Sequence, residues 1–269
     1  MPTPDFDAYT PAKITERVEA AGVGKAALGF RATFVLAVLA GAFIAFGAML
    51  FTLIVTGSGL GFGPTRLLGG IGFSLGLILV VVAGAELFTG NNLIVMAWAD
   101  GKVTSSKLLR NWAIVFVGNL IGGFAMAIMA DLSGCFSMHA GAVGATAVAI
   151  ADAKVALGPL EAFVRGLLCN ALVCLAVWLC FAAHSVTDKI LAILFPISAF
   201  VALGFEHSIA NAYLIPAGYL AGADNVDLSG FIANMIPVTA GNIVGGSVCV
   251  ALVYWLVYGR RNKDQDGAL

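Results

Sequence analysis

The chain has 269 residues, 60% of them hydrophobic and only 11% charged, with a net charge of −1 and a mean hydropathy of +0.98. Soluble domains carry about 25% charged residues, so this composition excludes a soluble enzyme or nucleic-acid-binding module and points to a chain immersed in lipid. Charge-free stretches at 32–65, 67–85, 111–130, 166–187 and 228–259 are each long enough, at roughly 20 residues, to cross a bilayer.

Residues 1–27 are mixed. Asp5, Asp7, Glu16 and Glu19 stand beside lysines and arginines, with no early apolar run before a small-residue site, so no cleavable signal peptide is expected. Ile14, Val18 and Ala21 share one helical face, which predicts a short amphipathic helix at the cytoplasmic interface, serving as an anchor or as a movable plug. Spans are predicted at about 28–55, 67–98, 109–134, 160–183, 189–220 and 230–258, with a cytoplasmic tail at 262–269. One side then carries Lys13, Arg17, Lys25, Arg31, Lys102, Lys107, Arg110, Lys189, Arg260, Arg261 and Lys263, and the other only Arg66, Lys154 and Arg165. That bias places both termini in the cytoplasm.

The second span is interrupted at Gly84-Ala85-Glu86-Leu87-Phe88-Thr89-Gly90-Asn91-Asn92, and the fifth at Gly204-Phe205-Glu206-His207-Ser208 and Asn211. Glutamates at membrane depth face a cavity or a partner. A broken helix frees backbone groups that lipid cannot satisfy, so both breaks must be buried in protein or line water. The two interruptions match each other. Gly84, Glu86 and Asn91 recur 120 residues on as Gly204, Glu206 and Asn211. Asn111, Asn119, Gly122 and Gly123 recur 123 residues on as Asn234, Asn242, Gly245 and Gly246. Phe30-Arg31 is echoed more faintly by Val164-Arg165, 134 residues on. Each copy, about 28–134 and 160–258 within a transmembrane domain at 28–261, holds three spans, so the second must enter the membrane inverted, which is a transporter's construction. The four asparagines are expected to satisfy backbone at the breaks, and Glu86 to accept backbone N–H bonds in its own break.

Cys135, Cys169, Cys174, Cys180 and Cys249 form no CxxC or Cys/His pattern and read as small packing residues, with no metal or cofactor expected. No nucleophile–base pair or phosphate loop points to an enzyme. His207 lies beside a glutamate within a break; a lone buried histidine is more often a satisfied core residue, but a break in a repeat-bearing transporter reverses that reading. Phe73 and Leu77 share a helix face, with ordinary core packing as the alternative.

The two interruptions, together with Gly72-Phe73-Ser74-Leu75-Gly76-Leu77-Ile78-Leu79 and Asn234-Met235-Ile236-Pro237-Val238-Thr239-Ala240-Gly241-Asn242-Ile243, resemble the signatures of the formate/nitrite transporter family, most nearly its formate channels, over about residues 5–261. The resemblance implies an aquaporin-like all-α membrane fold of six segments with the second and fifth broken. It also implies a homopentamer with one pore per protomer in a bacterial inner membrane, passing small monovalent anions or their acids, formate first, with protons involved. It marks His207 as the pore histidine with Thr89 opposite, places Phe73, Leu77, Leu87 and Phe200 at apolar constrictions, and groups Lys154, Asn170 and Glu206. Asn91, Asn211, Asn119 and Asn242 then support the breaks. A nitrite channel of the same family remains the alternative. A water or polyol channel fits less well, because paired Asn-Pro-Ala motifs are missing, and an ammonium channel typically pairs two pore histidines.

Overall fold

The computed structural model describes residues 7–259; residues 1–6 and 260–269, with the cations Arg260, Arg261 and Lys263 and the tail at 262–269, lie outside the described residues. The fold is all-helical. α1 (Pro11–Ala27) starts at Thr10, whose hydroxyl accepts the Lys13 N–H at 3.4 Å, with Pro11 at the first helical position. α2 (Phe30–Val55) follows. α3 (Phe62–Ile78) runs on through a π-helical turn to Gly84. The chain is then non-helical to Thr89, makes a 3-10 turn over Gly90–Leu93, and re-enters helix as α4 (Ile94–Ala99). α5 (Ser105–Leu132) is capped by Thr104. After it come α6 (Ala142–Val155), α7 (Pro159–Ala182) and α8 (Val186–Ala202), the last opened by a reciprocal Ser185–Asp188 capping box. α9 (Ser208–Leu220) resumes after a non-helical stretch, and α10 (Leu228–Ile243), capped by Asp227, continues largely π-helically to Gly259.

Among the described residues, five helices are long and apolar enough by themselves to cross a membrane: Phe30–Val55, Phe62–Gly84, Ser105–Leu132, Pro159–Ala182 and Leu228–Gly259. The predicted span at 189–220 is two shorter helices, α8 and α9, so length and hydropathy together do not register it. The main core lies where α2, α3, α5, α7, α8 and α9 meet. Two short helices flank it. α6 answers to no predicted element, and it carries Lys154 in its last turn. α1 buries Ile14, Val18, Gly22 and Ala26 against α4 and α7, so its buried stripe runs through Gly22 rather than Ala21.

Close helix contacts recur. A Cβ on Gly118 would meet the Phe34 carbonyl, and one on Gly241 the Phe163 carbonyl. Gly122 lies against the Val38 carbonyl as Gly245 lies against that of Leu167. Small residues permit such backbone approach. Both pairs set α2 against α7 at a separation of 129 residues (34 to 163, 38 to 167). The Phe30-Arg31 echo at 134 is therefore not an equivalence: it matched an Arg in the first turn of α2 with one in the second turn of α7. At the same separation Lys25 of α1 matches Lys154 of α6, and Gly22, packed on Ala97, matches Ala151, packed on Gly218.

Gly245→Val should force α10 off α7 and destabilise by about 1–3 kcal/mol. Thermal unfolding in detergent will read this as a clear fall in Tm, whereas Gly63→Ala, at a helical glycine that meets open space, should not lower the Tm.

Candidate functional site

Gly84 and Gly204 end their helices in the left-handed region, at φ of +86° and +74°, where a Cβ is strained. Each turn is closed in the same way: Ala85 N–H donates to the Val80 carbonyl at 2.9 Å, and Phe205 N–H to that of Phe200 at 3.0 Å. The next residues leave helical geometry, and one asparagine meets their backbone needs in each break. Asn119 Oδ1 accepts the Phe88 N–H at 2.9 Å while its Nδ2 donates to the carbonyls of Glu86 and Ala37. Asn242 Oδ1 accepts the Ser208 N–H at 2.9 Å while its Nδ2 donates to those of Glu206 and Gly166.

Among the described residues no backbone N–H is hydrogen-bonded to the Glu86 carboxylate; side chains hold it. Lys25 Nζ donates to Oε1 at 2.6 Å and Asn91 Nδ2 to Oε2 at 2.7 Å; Asn91 also donates to Asn111 Oδ1, and Asn111 to the Lys25 carbonyl. The second copy repeats this circuit bond for bond. Lys154 donates to Glu206 Oε1 at 2.8 Å, Asn211 to Glu206 Oε2 at 2.7 Å and to Asn234 Oδ1, and Asn234 to the Lys154 carbonyl. The asparagine on Glu206 is therefore Asn211, not Asn170. Asn170, fully buried, instead reaches Asn92 Oδ1 and the carbonyls of Asn242 and Thr89. It lies deeper in α7, between the two breaks rather than beside the lysine.

Two cavities flank the breaks and share no lining residue. The first, about 420 Å³, is lined by Arg17, Lys25, Glu86 and Lys189, with Leu77 and Leu87 among its apolar walls. The second, about 290 Å³, is lined by Arg66, Lys154, Arg165 and Glu206, with Phe73, Phe200 and His207. Each thus presents three cations around one carboxylate. Phe73 and Phe200 meet edge to face at 5.5 Å, and the Phe200 ring stacks on His207 at 6.0 Å. Thr89, fully buried, is flanked by Leu87 and Gly90 of the first cavity, and its hydroxyl lies 2.9 Å from His207 Nε2 of the second.

The His207 ring has a defined tautomer. Nδ1 caps α9 by accepting the Ala210 N–H at 3.0 Å. An N–H only donates, so Nδ1 carries a lone pair, and the neutral ring holds its proton on Nε2, facing Thr89. A doubly protonated ring would have to give up the cap.

The sequence pattern of the formate/nitrite transporter family matches residues 12–256. The chain belongs to the formate/nitrite transporter family. It is 41% identical to formate channel FocA of Escherichia coli (strain K12) over 96% of this chain and 97% of that protein. It is also 41% identical to a probable formate transporter of Methanothermobacter thermautotrophicus, over 91% and 93%. Among solved structures, a pentameric formate channel with formate bound superposes with a TM-score of 0.80 at 42% identity, over 85% of this chain and 97% of that one. An FNT family ion channel superposes with a TM-score of 0.82 at 29% identity, over 91% and 98%. The family and the apolar helices make this a multi-pass membrane protein of the channel and transporter class, not an enzyme.

Removing one member of a buried ion pair costs about 3–5 kcal/mol. The Lys154 side chain is 13% exposed and that of Lys25 is 31% exposed, so Lys154→Met should lower thermal stability more than Lys25→Met. Adding Glu206→Gln to Lys154→Met should restore much of the loss, and equal losses from the two lysine variants would show that the carboxylates are held alike.

Proposed function

We propose that this chain is a formate channel, working as a homopentamer with one pore through each protomer of the cytoplasmic membrane. The observation that carries this reading is the Thr89–His207 pair, sealed between two cation-lined cavities. Relatives named as formate channels, and a solved relative described as pentameric with formate bound, support it.

The physical problem is desolvation. Carrying a carboxylate through hydrocarbon costs several kcal/mol even after relaxation. With a pKa of roughly 4, only about one formic acid molecule in a thousand is neutral at pH 7. In this reading the lysines and arginines of each mouth raise the local anion concentration. Phe73 with Phe200, and Leu77 with Leu87, form apolar collars that reject hydrated ions by dewetting. Between them a dehydrated formate meets two donors, the Nε2–H of His207 and the hydroxyl of Thr89. Neutral His207 serves as a donor here, since a proton on Nδ1 breaks the α9 cap. Asn170 acts from behind, by fixing the Thr89 backbone.

We further propose that the membrane architecture is an inverted repeat of six crossings. α3 with α4, and α8 with α9, each make one broken crossing, beside the continuous α2, α5, α7 and α10. The repeat units run over 11–132 and 142–259, so that α1 and α6 are paired non-crossing elements. The doubled Lys–Glu–Asn–Asn circuit supports this. The lysine and arginine bias places the Arg17, Lys25 and Lys189 mouth, and both termini, in the cytoplasm. α1 lines that mouth through Arg17, Val18, Ala21, Gly22 and Lys25, in keeping with an anchored rim.

Proteoliposomes should pass formate well above nitrite, with chloride near background; nitrite at or above formate moves the chain to the nitrite branch. His207→Ala should abolish formate flux or erase its pH dependence, and unchanged flux removes His207 from the pore. Thr89→Val keeps shape but not the hydroxyl, and should cut formate flux by roughly tenfold, the scale of one hydrogen bond to a charged group. Crosslinking in mild detergent should stop at five subunits.

A further inference from the structure

The two breaks share their circuit but differ in what holds the carbonyl end of the preceding helix. A helix C-terminus leaves its last carbonyls without intrahelical partners, and at membrane depth no water supplies them. At the end of α8, the Arg66 Nη2 donates to the Val201 carbonyl at 2.5 Å and its Nε to the Ala202 carbonyl at 3.3 Å. Arg165 donates to the Gly204 carbonyl at 3.2 Å. At the end of α3, among the described residues, no cation is hydrogen-bonded to the carbonyls of Val81, Val82 or Gly84.

Arg66 stands on α3 two turns before Phe73, and the carbonyls it grips follow Phe200 directly on α8. Between them the helices touch backbone to backbone, since a Cβ on Gly70 would lie 2.5 Å from the Ser198 carbonyl oxygen. On α3, Gly70 lies between Arg66 and Phe73, and on α8, Phe200 lies between Ser198 and the two carbonyls that Arg66 grips, so the clasp acts on the residues next to the Phe73–Phe200 contact. The Arg66 guanidinium also lies 5.5 Å from the centre of the Phe51 ring, a second wall of the same cavity, which restrains its swing.

We propose that Arg66 is a positioning and specificity-determining residue: by pinning the α8 terminus to α3 it fixes the separation of Phe73 from Phe200, and with it the size limit for carboxylates entering from that mouth. This rests on the channel reading for its transport consequence. Arg66 need not touch the anion. Its planar fork, which spans two successive carbonyls, is what lysine lacks. The other collar pairs Leu77 of α3 with Leu87, which lies beyond a helix end that no described cation clasps.

The test compares wild type with Arg66→Ala and Arg66→Lys in two ways. In proteoliposomes, Arg66→Ala should raise the acetate-to-formate flux ratio roughly tenfold, on the scale of a lost charge-assisted hydrogen bond, with Arg66→Lys in between. In hydrogen exchange, the amides of 203–205, which close the α8 turn, should exchange faster in both variants, with those of 85–92 unchanged. If Arg66→Lys behaves as wild type and Arg66→Ala lowers all anions in parallel at an unchanged ratio, Arg66 acts only by its charge and the proposal fails. Unaltered exchange at 203–205 also overturns it. Wild-type protein that passes no formate sinks the channel reading instead, and the exchange arm still decides whether Arg66 fastens the turn.

Discussion

The structure depends on satisfying, from within the protein, the backbone freed at two helix interruptions, at Gly84 and Gly204. Lipid offers no hydrogen bonds, so each freed amide and carbonyl near Gly84 and Gly204 needs a protein partner. Asn119 and Asn242 provide three bonds apiece from a single side chain. Their amides accept and donate at once, which no aliphatic or purely acidic residue can do. The glycine-mediated approach of α2 to α5 and of α7 to α10 follows from this, because an asparagine on one helix must reach carbonyls on the next.

The carboxylates belong to the same solution at longer range. Glu86 and Glu206 are nearly fully buried, and a buried charge survives only when paired and hydrogen-bonded. The lysines that pair them come from α1 and α6, short helices outside the membrane-length set. This makes α1 part of the architecture: it brings Lys25 to one break as α6 brings Lys154 to the other. It also explains why each cavity is rich in cations. The lysine that neutralises the carboxylate comes with two further cations, and the surplus faces the cavity.

Much of this was legible in the residues, and the failures have physical causes. The breaks announce themselves because glycine, glutamate and asparagine interrupt otherwise apolar runs, and because they do so twice in the same order. Partnerships across distance do not announce themselves. Lys25–Glu86 spans 61 residues and Lys154–Glu206 spans 52, and nothing local in the sequence marks either lysine. α6 falls outside the predicted spans because its 14 residues are too short to cross a membrane and its apolar residues form no clear stripe, although its alanines favour helix. Asn170 was assigned to the wrong circuit because position along α7 does not reveal which face meets which break. The 134-residue echo failed for a related reason: two arginines look equivalent in print, whereas equivalence is set by which carbonyls the glycines touch.

His207 occupies the position in its copy that Leu87 occupies in the other, 120 residues earlier, and Thr89 likewise answers to Ile209. In the proposed inverted repeat, the donor pair is therefore a place where the two halves differ. In the proposed pore, a solute arriving past Phe73 and Phe200 would meet the imidazole before the leucine collar, and one arriving from the Lys25 side would meet the leucines first. Equilibrium forbids a passive pore from favouring one direction at zero gradient, but it does not require the two journeys to be mirror images. On that reading, a channel whose halves differ here, as they do at the Arg66 clasp, has an entrance and an exit that are kinetically distinct, so its conductance under opposite gradients need not be equal.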